Sequence, residues 1–201
     1  MSIGVLLTVF ALILPAELPD KTMVATLVLA TRFPAVPVMI GVALGFVAQA
    51  GIAVAAGSAI AALPATPVKA VSAAIFLLGA ILTLRSSEDP EKEEEEVEQE
   101  IAGTSPKAGA WRVIGTSFLI LFLAEWGDLT QLLTASLSAK YDDPLAVFAG
   151  SSAGLITAGL IAVTGGKALL RVLPMHWIRR IAATAFAVVA VLTGLEAAGA
   201  L

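Results

Sequence analysis

Six mostly apolar stretches, at roughly 2–31, 38–63, 68–84, 111–139, 145–170 and 177–200, dominate this 201-residue chain. Each approaches or exceeds the roughly 20 residues a helix needs to cross a bilayer. Inside hydrocarbon a backbone must satisfy its own N–H and C=O groups, so runs of this length read as membrane helices. Composition agrees. Only 14% of residues are charged, against about 25% in soluble domains. Nine of the sixteen acids fall between Glu88 and Glu100, so the net charge of −4 comes from that one run. A soluble enzyme, a nucleic-acid binder and a disordered chain are excluded. The chain has no cysteine and one histidine, His176, which rules out disulfides, thiolate metal sites and a zinc site built on imidazoles. The N-terminus lacks a basic segment and runs straight into Pro15-Ala16-Glu17, so the first stretch reads as a span rather than a cleaved signal peptide.

Basic residues set the orientation. With the N-terminus outside, Arg32, Arg85, Lys92, Lys107, Arg112, Lys167, Arg171, Arg179 and Arg180 all fall on the cytoplasmic side. Lys69 and Lys140 fall on the other. An N-out, C-out multi-pass protein of a prokaryotic plasma (inner) membrane is expected. Between the third and fourth spans, residues 85–110 carry the acidic run and read as a solvated, largely flexible cytoplasmic linker. A cation-attracting antenna is the alternative use for it.

The two sides of that linker repeat. Glu17-Leu-Pro-Asp20-Lys21-Thr22 returns as Glu125-Trp-Gly-Asp128-Leu129-Thr130; Gly41 and Gly45 return as Gly150 and Gly154; Leu63-Pro64 as Leu173-Pro174; Phe76 as Phe186. The expected fold is therefore all-α: six transmembrane helices arranged as two inverted three-helix repeats, residues 1–84 and 111–201. An odd number of spans per copy forces the inversion, and transporters built this way bind cargo near the midplane between copies.

Four carboxylates lie inside spans: Glu17, Asp20, Glu125 and Asp128. An acid at a helix centre costs about 2.5–3.5 kcal/mol on an insertion scale, so four imply a use. Within each copy the spacing is i, i+3, which on a continuous helix puts both acids on one face. Four converging carboxylates in a low dielectric need a cation or protons among them, and exchange of one for the other is the expected mechanism. Oxygen ligands suit hard or borderline divalent ions; Thr22, Thr130 and Gln131 add neutral oxygens, and Lys21 tunes the charge. Pro15, Pro19 and Gly127 are expected to loosen the backbone beside the acids. Trp126 is the aromatic placed to wall the site, Glu196 is expected to reach the headgroups, and Asp142-Asp143 to form a solvated turn.

The paired Glu-x-x-Asp-x-Thr motifs resemble the signature of the GDT family of cation/proton exchangers, Glu-x-Gly-Asp-Lys/Arg-Thr/Ser, present once per three-span repeat. The resemblance extends over essentially the whole chain. It implies a secondary transporter exporting a divalent cation, Mn²⁺ first and Ca²⁺ next, in exchange for protons. The family's cation-binding acids then fall on Glu17, Asp20, Glu125 and Asp128, its hydroxyls on Thr22 and Thr130, and its frequent following glutamine on Gln131. Pro19 departs from the motif glycine, Leu129 from its basic residue, and Met23 from the glutamine. The partners implied are the metal ion, protons and the lipid bilayer; no resident cofactor and no nucleic acid are expected, and a homo-oligomer is left open. The alternative is an intramembrane hydrolase, an aspartyl-type protease or a lipid-phosphate hydrolase, using the same acids.

Overall fold

The computed structural model describes residues 1–18, 20–85, 90–105, 108–172 and 175–200. Pro19, the start of the acidic run at 86–89, Lys107 and the Leu173-Pro174 repeat lie outside them. The described chain is helical throughout, with no strand: α1 Ile3–Glu17, α2 Lys21–Arg32, α3 Ala35–Ala61, α4 Ala65–Arg85, α5 Pro90–Ile101, α6 Ala110–Ala124, α7 Leu129–Lys140, α8 Pro144–Val172 and α9 Met175–Ala197.

Four helices are long and apolar enough to cross a membrane alone, and six spans result if α1–α2 and α6–α7 each count as one. Those two pairs are bent by 71° and 73°. The first and fourth stretches are therefore not continuous helices, and the expectation that each acid pair shares one helix face fails. Glu17 is the last residue of α1 and Asp20 the N-cap of α2; Glu125 caps α6 and Asp128 is the N-cap of α7. The amide of Asp20 donates to the Glu17 carbonyl (3.0 Å), and that of Asp128 to the Glu125 carbonyl (3.2 Å). The Glu-x-x-Asp spacing is thus the span of a tight turn. Gly127 occupies the third place of its turn at φ +76°, a conformation that glycine takes without a Cβ penalty.

Packing runs across the two sides of the chain. The central α3 lies against α6, α7 and α8, while α8 also holds α1 and α2, and α4 pairs along α9. Glycines permit the closest approaches. A Cβ at Gly41 would sit 2.4 Å from the Ile114 carbonyl oxygen of α6, and one at Gly150 2.6 Å from the Leu6 carbonyl oxygen of α1. These glycines are equivalent in the sequence repeat, and so are the half-helices they touch. Phe76 and Phe186, another repeat pair, are both fully buried. Large apolar side chains such as Leu44, Leu78, Val188 and Val191 face outward, as a lipid-facing surface requires.

Two loop expectations change, and the Asp142-Asp143 turn gains partners. The acidic linker carries α5, which packs on α2 with Val97 and Ile101 buried; their i, i+4 spacing gives one apolar stripe on an otherwise acidic helix. Glu196 does not run free to the headgroups but accepts from Lys140 (3.2 Å) and pairs with Lys69 (3.4 Å), tying the ends of α7, α9 and α4. Asp143 accepts from the backbone amides of Ser2 and Ala146, fastening the start of α1 to the start of α8. Those amides, Ser2's first, hold its carboxyl below the ordinary aspartate value.

The close approaches make a prediction. Gly41→Ala and Gly150→Ala should each destabilise the protein by about 1–3 kcal/mol, because backbone must move to admit the methyl. Gly115→Ala, with nothing near its added carbon, should be neutral or mildly stabilising. Thermal unfolding in detergent compares the three.

Candidate functional site

Both turns deliver their acids to one place. Ligand oxygens of Glu17, Asp20 and Glu125 all lie within 4.8 Å of one another. Glu17 is 1% exposed and Glu125 2%. The N-termini of α2 and α7 start at this cluster, and the partial positive charge there favours carboxylates.

Two hydroxyls stitch the acids together. Thr22 donates to Glu17 Oε1 and lies 3.4 Å from Asp20 Oδ2. Thr130 Oγ1 donates to Glu17 Oε2 at 3.2 Å and lies 3.3 Å from Asp128 Oδ2. The Thr130–Glu17 bond joins the two sides of the molecule across 113 positions of sequence. Glu125 Oε1 is buried and has no hydrogen-bond partner among the described residues. A buried carboxylate oxygen left so is costly unless a ligand or proton completes it.

The fourth acid stands slightly apart. Asp128 caps α7 by accepting from the Thr130 amide at 3.2 Å, and its other oxygen lies 3.9 Å from Lys21 Nζ. Lys21 thereby offsets charge at the rim rather than in the cluster. Gln131 spends its amide elsewhere: Oε1 accepts from the Gly127 amide at 2.9 Å, and Nε2 donates to Gln49 Oε1. Gln49, 3% exposed in α3, also donates to the Phe122 carbonyl. Sequence reasoning passed over Gln49, although an amide in the middle of an apolar span is itself a signal. Trp126 does not wall the cluster; it is exposed and packs on Phe122 with ring centres 5.4 Å apart.

A cavity of about 330 Å³ reaches the site along Asp20, Asp128, Thr130 and Leu133 and extends to Arg85 and Arg179. A second cavity, of about 590 Å³, runs between α2, α5 and α6 and is lined by Lys21, Glu96 and Glu100. On the opposite side α7 is pressed onto α3: a Cβ at Gly57 would sit 2.2 Å from the Ala135 carbonyl oxygen, and Ser138 donates to the Val54 carbonyl at 3.1 Å.

Comparison with known proteins follows the same outline. The family model described as divalent cation/proton antiporter GDT1 matches residues 5–91 and 113–200. A GDT1-like protein of Synechocystis is 33% identical over 165 residues, covering 78% of this chain and 80% of that protein. A provisionally assigned manganese exporter of Vibrio cholerae is 31% identical over 181 residues, 89% of this chain and 84% of its own. The chloroplastic protein PAM71 of Arabidopsis thaliana is 32% identical over 209 residues, 93% of this chain but 55% of that longer protein. No solved structure matches.

The crowded acids predict a thermal signature. A divalent cation held among them at 100 times its dissociation constant should add about 2.7 kcal/mol of stability. Glu125→Gln should remove most of that increment while leaving the metal-free protein as stable as before or more so, since one of the crowded charges is gone. Unfolding temperatures with and without Mn²⁺ provide the check.

Proposed function

This chain belongs to the GDT1 family of divalent cation/proton antiporters, and from that premise we propose that it exports Mn²⁺, or less readily Ca²⁺, in exchange for protons at a single buried site. The carrying observation is the buried carboxylate cluster, held by Thr130 of one side to Glu17 of the other, with Glu125 Oε1 unpartnered among the described residues. The family is one of transporters, so the hydrolase alternative has no support.

The site residues divide their work. Glu17, Asp20 and Glu125 offer oxygens to the cation. Thr22 and Thr130 orient Glu17 and supply neutral oxygens. Asp128, fixed by its cap and by Lys21, completes the charge from the rim, and Gln131 acts behind it. Without a cation these acids cannot all remain ionised so close together. Departure of the metal therefore requires protons, and arrival of the metal releases them. Oxygen ligands serve Mn²⁺ and Ca²⁺ alike; the Vibrio cholerae relative tips the choice to Mn²⁺.

The architecture proposed is two inverted repeats, 1–84 and 111–201, joined by 85–110, with both termini outside a prokaryotic plasma membrane. Equivalent glycines making equivalent contacts, Gly41 on α6 and Gly150 on α1, support it. The cavity lined by Asp20 and Asp128 also reaches Arg85 and Arg179, two of the basic residues assigned to the cytoplasmic side, which supports an inward-facing arrangement. The tight α3–α7 contact at Gly57 supports the reading that the outer side is closed. Rocking one repeat against the other would open it.

Purified protein in liposomes with an imposed pH gradient tests the reading. Mn²⁺ flux should move protons the opposite way, with Ca²⁺ slower. Asp20→Asn and Asp128→Asn should each abolish flux without loss of fold. Unchanged flux in both variants would refute a shared carboxylate site.

A further inference from the structure

The break between α6 and α7 strands two backbone groups. In an unbroken helix the Phe122 carbonyl would accept from the Trp126 amide, but that amide donates to Leu123 instead. The Gly127 amide likewise would return to Leu123, and instead donates to the Gln131 side chain. One relay satisfies both: Gly127 N–H to Gln131 Oε1, Gln131 Nε2 to Gln49 Oε1, Gln49 Nε2 to the Phe122 carbonyl. It brackets residues 122–127, and Glu125 sits within the bracket.

Among the described residues the other break has no such relay. Offsets of 108 and 109 carry Gln131 onto Met23 and Gln49 onto Ala158, and Phe122 and Gly127 onto Leu14 and Pro19. The Leu14 carbonyl is already satisfied by the Leu18 amide at 3.2 Å. Proline has no N–H to satisfy. With no stranded donor at Pro19, an acceptor at position 23 has no task, and methionine stands there. Pro19 and Met23, the first motif's departures from the family signature, are thus one departure with one cause.

We propose that Gln49 is a positioning residue of the transport site: through Gln131 and the Phe122 carbonyl it fixes the backbone turn that aims Glu125, and it does so for the second break alone. Among the described residues Gln49 hydrogen-bonds to no site carboxylate; it acts through the turn. The inference deepens the exchange reading above and rests on it for its transport arm.

The test uses the full chain in three variants: Gln49→Leu, Gln131→Met, which copies the first repeat, and the double substitution. Amide exchange read over 122–128 should quicken by about tenfold in each, the worth of one lost hydrogen bond. The apparent KM for Mn²⁺ should rise about tenfold or more, the usual effect of losing a residue that orients a metal ligand. Turnover at saturating Mn²⁺ should fall by less than about threefold, because the carboxylates themselves remain. The double variant should be no worse than either single one, since the relay works as a unit. A well-folded Gln49→Leu with wild-type exchange rates and wild-type KM would overturn the proposal, and so would additive losses in the double variant. If Gln49→Leu fails to fold, Gln131→Met carries the same readings, because it breaks the same relay at its other member. Wild-type protein that moves no Mn²⁺ would sink the exchange reading, while quickened exchange over 122–128 in the variants would still uphold the relay.

Discussion

A chain crossing hydrocarbon has no water to complete a broken hydrogen bond, and two of this protein's six candidate spans are broken helices. Nearly every feature around the acids follows from that constraint. A break exposes helix ends, and helix ends carry partial charge. The N-termini of α2 and α7 meet the carboxylates. Asp128 accepts from the α7 backbone, so it is both a cap and a member of the acidic group. The acids are affordable at depth because the breaks are there, and the breaks are tolerable because polar side chains close them.

The same constraint explains the cross-packing. Neither broken span can form its half of the site alone, since Glu17 takes one of its hydroxyl partners from beyond the linker. Long unbroken helices brace each broken one from the opposite side of the sequence: α3 lies on α6 and α7, and α8 on α1 and α2. Glycines at the contacts bring backbone against backbone, which suits a setting where packing and not water exclusion drives helix association. Relative movement of the two sides must therefore reshape the space between the acids.

Much of this was legible before any coordinates. Apolar run lengths gave the candidate spans, and the duplicated acids named residues that the two breaks bring together. What escaped was geometry that spacing leaves ambiguous. An interval of three fits a helix face and a tight turn equally well, and Gly127 favoured the turn while the surrounding apolar residues favoured the helix. Composition hid α5, because the buried Val97 and Ile101 sit among acids that read as solvated. Gln49 carries no charge to single it out; it satisfies a backbone carbonyl whose need appears only where the helix stops. Glu196 looks unpartnered in the sequence because Lys69 and Lys140 come from distant stretches that only the fold brings beside it.

The docking of α5 has a practical side. Its buried edge is fastened to α2, a half-helix whose first turn carries Thr22 and Lys21, while Glu95 and Glu98 on the same short helix stay exposed. A movement of α2 is thereby transmitted to a surface that water-soluble chemistry can reach. A fluorophore or spin label placed at Glu98 could follow the interior of the first repeat in intact vesicles, with nothing attached inside the membrane and no acid of the site altered.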